Sequence, residues 1–486
     1  MSSTDSTFAG AYDPVLLKLA DYVCQPPAFS QEAYRTAELA LLDALAGAVQ
    51  ALQDPDCTRL LGPMVPGTTQ PFGARLPGTD YELDPATAAF GLSCCAHWDD
   101  PYGSGSGIRR SYPSDHVAVL LALGDWLGRN EGHPHQLQAF DKPLPERPPP
   151  TLRPLLSALI QAHEIQGLLA QENAAAKRPL EPLLLLRVAS AAVATRFLGG
   201  ERDAVLAALS HAWLDGCPLS ANRSAPSARA TGDAASRAIQ LALRALAGEP
   251  GCPRALSAPQ CGFEAVALSG QPVLFERTPG CLVMETLLFQ LGSAAAPHVQ
   301  PALDAACRLH PQAIARLTDI ARIEIHTHGQ DLRPFSQALP SATRHERARH
   351  LPLVVVLGLL CGRLLPEHLG DEVVVDPRVG ALLARTRVHT DASFAREFLA
   401  PERLAAPHSV QLFFNDGSCT ERIVARYPAG HRHHRSQSLP LHFEKAMAAL
   451  ATRFEEDRIE DILGLFDDSE SLQSMPVSHF VNLWVP

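Results

Sequence analysis

Between Leu183 and Phe197 the chain is apolar on nearly every side of a helical wheel, interrupted only by Arg187, Ser190, Thr195 and Arg196. A helix of that kind has no face to offer to water, so it must be enclosed by other helices. It is not a membrane span. This run and Leu351 to Cys361 both fall short of the roughly 18–20 apolar residues a bilayer requires. Amphipathic neighbours are legible around it. Tyr34, Ala37, Leu41, Leu45 and Ala48 share one face of a helix that Gln31 and Glu32 open, and Leu155, Leu159, Ala162, Ile165 and Leu169 share another. The proline-rich stretch from His133 to Pro154 cannot continue a helix and reads as a surface connection.

The pattern changes after about Glu285. Ile320 to His326 alternates like a half-buried strand, through Ile323 and Ile325. Val410 to Phe414 and Arg422 to Ala425 flank Asn415-Asp416-Gly417-Ser418, a tight-turn signal for a hairpin. Helical spacing returns with Phe443, Met447, Leu450 and Phe454. With 486 residues, two domains are expected. The layout is mainly α: a large helical domain over 1–285, a smaller α+β lid over 286–430, and a segment over 431–486 that returns to the helical body.

Charge and cysteine usage exclude several functions. A net charge of −11 without a basic stripe argues against a nucleic-acid surface. The eleven cysteines are odd in number and form no C-x-x-C, so reduced thiols are expected rather than a disulfide framework, a zinc site or an iron–sulfur cluster. The N-terminus carries neither a positive cluster nor an apolar run, so no signal peptide is expected and the chain is assigned to the cytoplasm. The Gly103 to Gly107 run lacks Gly-Lys-Ser/Thr and is no phosphate-binding loop, and His431 to His434 reads as a solvated corner rather than a metal tract.

Several short motifs carry a resemblance when taken together and in order. They are Ala33 to Ala37, Leu60 to Thr68, Gly73 to Thr79, Ala162-His163-Glu164-Ile165-Gln166-Gly167, Gly232-Asp233-Ala234-Ala235-Ser236-Arg237-Ala238 and Tyr427-Pro428-Ala429-Gly430-His431. On these the chain resembles the MmgE/PrpD family, closest to its 2-methylcitrate dehydratases. The resemblance implies a large all-α domain with an α+β lid, a homodimer, no metal or organic cofactor, and a small carboxylic acid as substrate.

Dehydrating a β-hydroxy acid needs a base for the proton beside a carboxylate, an acid for the departing hydroxide, and donors that hold the carboxylates. The resemblance maps these needs onto Trp98 to Ser104 and Tyr112-Pro113-Ser114-Asp115. Asp100 matches the family's first catalytic aspartate. Ser104 stands where threonine is usual, Gly103 replaces the second aspartate and Tyr112 replaces a histidine. In the second loop the family's lysine position falls at Ser227. A further lysine is Gln290 here, His298 is retained, and a late histidine and tyrosine align with Arg349 and Leu353. Bland readings stand beside each. Asp100 is a base or a helix cap, Tyr112 an acid or a packing residue, and His298 a lid-core histidine or an active-site group. Arg109, Arg110, Arg223 and Arg229 are carboxylate clamps or solvated surface charges.

Three functions follow as expectations. The first is a lyase of the dehydratase type acting on a citrate-, 2-methylcitrate- or alkylcitrate-like acid with an altered acid/base set. The second is an isomerase, epimerase or decarboxylase on a related acid. The third is an inactive family member with a structural or regulatory role.

Overall fold

The structure is a computed structural model that describes residues 11–98, 111–131, 149–174, 179–216, 227–329, 342–398 and 405–486. The apolar run forms the helix Pro182–Phe197, in which every residue from Leu184 to Thr195 is buried. The helices Leu152–Glu172, Arg202–Leu214 and Ser227–Leu246 pack around it. Its one deep cation is accommodated rather than expelled. The Arg187 guanidinium donates to the carbonyls of Ala212 (3.1 Å) and Gly216 and pairs with Asp215 at 3.3 Å. A buried charge met on several sides in this way regains part of what desolvation costs it.

The next layer depends on close backbone approach. Helix Pro85–Ala96 packs on Ser227–Leu246 at Gly232, where an added Cβ would lie 2.6 Å from Cys94 Sγ and 2.8 Å from the Phe90 carbonyl oxygen. Gly232 lies inside this helix, which starts at Ser227. Helix Gln31–Ala51 is capped by Ser30, whose Oγ accepts from Ala33 N at 3.0 Å. Pro154, assigned by sequence to the connection, instead occupies the first turn of Leu152–Glu172. A first-turn proline forfeits no hydrogen bond, because the first N–H groups of a helix have no intrahelical acceptor. The helical body is not purely α. A short antiparallel ribbon pairs Ala74–Arg75 with Glu82–Leu83.

The chain divides into two compact units. The described residues up to Leu287, together with those from His442 onward, form the first. Leu288–Leu441 forms the second, so residues 431–441 run within it, not in the returning tail. Its sheet has the order Thr386–Thr390, Ile320–Thr327, His408–Phe414, Ile423–Ala425, the first pair parallel and the others antiparallel. Asp416 and Gly417 make the turn the sequence signals. Gly417 adopts φ +83°, and Phe414 N donates to the Ser418 carbonyl at 2.9 Å. Helices Gln300–Ala315 and Leu351–Cys361 pack against each other, and Val354 to Leu357 share one core with Ile323, Ile325, Val410 and Leu412. Within this unit, Gly430 bridges Phe289, and a Cβ there would meet the Phe289 carbonyl at 2.0 Å.

The helix Arg435–Leu450 buries Ser438, His442, Ala446, Ala449 and Leu450, while Met447 is exposed. The face read from Phe443 and Met447 is therefore rotated from the true one. Of the described cysteines Cys57, Cys94 and Cys95 are buried, Cys261 and Cys419 are exposed, and all are free thiols. Among the described residues no helix is long and apolar enough to cross a membrane.

Gly232→Ala is expected to destabilise the first unit by about 1–3 kcal/mol through overpacking. Gly47→Ala has only the Ala96 carbonyl at 3.9 Å to meet, and should leave stability unchanged or raise it by up to about 1 kcal/mol. Urea unfolding of the two variants distinguishes them. Equal effects would show that close packing at Gly232 is unimportant.

Candidate active site

The first unit holds a cluster of buried polar side chains built on the segment Ser111 to His116 and on two helices. Tyr112 to Asp115 forms a turn closed twice. Asp115 N donates to the Tyr112 carbonyl at 3.0 Å, and Tyr112 N donates to Asp115 Oδ2 at 2.8 Å. His116 then takes a left-handed conformation, φ 66°, before the helix Val117–Arg129 begins. A non-glycine residue held there is strained, so the surrounding contacts must over-determine it. Those contacts include a 2.7 Å hydrogen bond between His116 Nδ1 and Ser190 Oγ on the central helix.

The Leu152–Glu172 helix supplies the other wall through the Ala162 to Gly167 motif. Residues three apart on a helix share a face, and here His163 and Gln166 both reach the turn. Ser111 Oγ lies 2.8 Å from His163 Nδ1, and Gln166 Nε2 donates to Asp115 Oδ2 at 2.8 Å. Glu164 points elsewhere and accepts from the backbone N–H of Gly280 (3.0 Å) and Val283 (2.7 Å). Gly167 makes room for Val283, whose methyls would lie 2.6 Å from an added Cβ. From the third side, His97 ends the helix Pro85–Ala96. Its Nε2 lies 3.1 Å from Asp115 Oδ1 and 3.0 Å from Ser114 Oγ.

These contacts separate the charges. Burial pushes the Asp115 carboxyl up, but the hydrogen bond and charge of His97, with Tyr112 N–H, outweigh it and hold it at about 2. Burial also drives His116 down to about 3, reinforced by His163, whose ring centroid is 5.0 Å away. His163 falls to about 4 for the same first reason, burial. The cluster is therefore an ionised carboxylate beside two neutral imidazoles.

The second unit has a polar cluster of its own at one end of the sheet. His298 and His328 are buried there, and His328 stacks on Phe398 at 3.9 Å and meets His408 edge-on at 5.1 Å. His408 Nδ1 lies 2.8 Å from the Ala406 carbonyl and its Nε2 3.0 Å from Thr327 Oγ1. Burial, then the charge of His328, holds His408 at about 3. His431 is also buried, stacked on Tyr427 at 4.4 Å, so that corner is not simply solvated. Gln290 donates to the carbonyls of Ser293 (2.7 Å) and Ala295 (2.8 Å), a loop brace, and Leu353 is wholly buried.

Of the residues singled out by sequence, Asp100, Ser104, Arg109, Arg110, Arg223 and the Ser227 side chain lie outside the described residues. Tyr112 sits on the closed turn of the first unit, and His298 belongs to the histidine cluster of the second. Arg229 is on a helix, exposed, 4.0 Å from Asp233. The sequence reading missed His97, Asp115, His163 and Gln166 as a group. The His-x-x-Gln spacing inside Ala162 to Gly167 was the signal for two of them. Among the described residues no group of three or more His, Cys, Asp or Glu is arranged to hold a metal ion.

His116 and His163 have folded pKa values below the ordinary 6.5, so below that pH the unfolded chain binds protons the folded chain refuses. Their contribution is present above about pH 6.5 and is lost as pH falls, by about 2 kcal/mol per imidazole between pH 7 and 5. Asp115 acts only lower, losing its contribution as pH falls from about 4 through about 2. Urea midpoints across pH 7 to 5 should fall steeply, and His163→Gln should flatten the slope by about one imidazole's share. An unchanged slope would mean that His163 is not held neutral.

Comparison with known proteins gives these clusters their family context. Residues 17–276 match the MmgE/PrpD N-terminal domain and residues 294–468 the MmgE/PrpD C-terminal domain. The chain is 38% identical to a 2-methylcitrate dehydratase of Cupriavidus necator over 99% of each chain. It is 37% identical to that of Salmonella typhimurium over 100% of each. A 2-methylcitrate dehydratase-like protein of Aspergillus oryzae is 32% identical over 100% of this chain and 98% of its own. With both domains matched in order, and relatives aligned from end to end, the chain belongs to the MmgE/PrpD family.

Proposed function

We propose that this protein is a hydro-lyase that removes water from a citrate-like polycarboxylic acid of the 2-methylcitrate class, with an altered acid/base set. The observation that carries this reading is the end-to-end identity of 36–38% with several 2-methylcitrate dehydratases, without truncation of either domain. In this reading Asp100 takes the proton beside a substrate carboxylate, and Tyr112 gives a proton to the departing hydroxide. Ser104, Arg109, Arg110, Arg223, Ser227 and Arg229 hold the carboxylates. A phenol is a weaker acid than an imidazolium at neutral pH, with an ordinary value near 10 against 6.5. Proton delivery to hydroxide is therefore the step most slowed. The smaller side chains at Gly103, Ser104 and Ser227 suit a bulkier or less charged acid than 2-methylcitrate itself. The protein works as a cytoplasmic homodimer without a metal or organic cofactor.

The test is incubation of the purified protein with 2-methylcitrate, citrate, cis-aconitate and longer alkylcitrates, with products followed by mass. Loss of one water from at least one acid is expected. Asp100→Asn should reduce the rate by about 10²–10⁴-fold, and Tyr112→Phe should slow it with little change in KM. Isomerisation or loss of carbon dioxide instead would move the protein to a related chemistry. No turnover of any acid would leave a structural or regulatory family member. Activity that survives Asp100→Asn would show that the base lies elsewhere.

A further inference from the structure

We infer that His97 is held by Asp115 as a buried imidazolium, and that this ion pair is the positioning device for the Tyr112 turn. The protonation follows from hydrogen-bond bookkeeping. His97 Nδ1 lies 2.9 Å from the Ser93 carbonyl oxygen, which can only accept, so Nδ1 carries a proton. Nε2 faces Asp115 Oδ1 at 3.1 Å. Two lone pairs cannot share that gap, so a proton lies between them and belongs to one partner or the other. The second carboxylate oxygen decides which. Asp115 Oδ2 already accepts from Tyr112 N and from Gln166 Nε2, each at 2.8 Å. Two N–H donors on one oxygen stabilise the ionised form, so the proton stays on the imidazole. Ser114 Oγ lies 3.0 Å from the same ring nitrogen, and its hydroxyl oxygen is able to accept from it.

The surroundings favour a single charged pair. The other titratable groups facing it are His116 next in the chain, His163 on the Leu152–Glu172 helix, and Tyr112, whose ring centroid is 6.4 Å from that of His97. The two imidazoles are neutral near pH 7, so neither of them is a second cation beside Asp115. Both partners are buried, with side chains 5% and 4% exposed, and water does not screen their attraction. In sequence they stand on either side of residues 98–114. One partner ends a helix and the other closes the Tyr112 turn, so the pair ties the two ends of that stretch together. Neither is a catalytic residue. Each acts through Tyr112.

The kinetic arm of the test rests on the proposed dehydratase reading, whereas the spectroscopic arm does not. Nuclear magnetic resonance of isotope-labelled histidine ring nitrogens, with His97 assigned by loss of its signal in His97→Gln, reads the protonation state directly. His97 should remain doubly protonated at about pH 8, well above the ordinary histidine value, and should become neutral in Asp115→Asn. A neutral His97 at that pH in the unmodified protein overturns the inference, and so does a His97 that stays protonated in Asp115→Asn. Hydrogen exchange by mass should rise at residues 111–116 in Asp115→Asn while the Pro182–Phe197 helix stays protected. Exchange rising throughout would make the pair a general stability element and overturn its positioning role. With an acid that is turned over, Asp115→Asn should lower kcat by about 10–100-fold with KM nearly unchanged. A raised KM with unchanged kcat would make the pair a binding element instead. If no acid is turned over, the dehydratase reading fails, while resonance and exchange still decide the pair.

Discussion

A carboxylate can stay ionised in a protein interior only if donors surround it, because desolvation otherwise drives it neutral. Asp115 meets that condition through groups from separate parts of the chain: His97 at a helix end, Tyr112 N on its own turn, and Gln166 from the Leu152–Glu172 helix. Each donor is in reach only while its segment holds position. The left-handed His116 beside it, which would relax if released, is likewise pinned to Ser190 on the central helix. The buried charge thus ties two helices to a short turn, His116 adds the central helix, and the turn carries the residue proposed as the acid.

The same logic holds at a second point on the central helix. Arg187, the one cation deep in the central helix, finds Asp215, and Asp215 also receives Arg237 from the Ser227–Leu246 helix at 2.9 Å. Arg187 starts from within the central helix, but its guanidinium reaches the end of the Arg202–Leu214 helix, where Asp215 stands. In such places backbone carbonyls and N–H groups left over by the helix can help satisfy a buried charge.

Much of the fold was legible from one-dimensional pattern. The enclosed Pro182–Phe197 helix, the Gln31–Ala51 and Leu152–Glu172 helices, the alternating Ile320–Thr327 strand and the Asn-Asp-Gly hairpin all follow from periodicity and turn chemistry. Misreadings came where local pattern underdetermines geometry. Pro154 looks like a breaker but suits a first turn. Met447 looks like a core residue, yet Ser438, His442, Ala446, Ala449 and Leu450 form the buried face. The glycines of the family motifs also gained a reason only in three dimensions. Gly232, Gly167 and Gly430 each stand where a methyl group would strike another segment.

The sequence by itself determined the family, the mainly α class and several of the helices and strands, since burial patterns repeat along the chain and need no partner to be seen. It also supplied Tyr112 and His298 as residues of interest. Tertiary structure alone decided what surrounds them. His97 and Asp115 are 18 positions apart, and Gln166 is 51 positions from Asp115. Nothing in the spacing of an isolated histidine, aspartate and glutamine says that they converge on one carboxylate. Protonation states are set by those convergent donors and by burial. The neutral His116 and His163 and the ionised Asp115 are therefore properties of the folded chain, not of its residues taken one at a time.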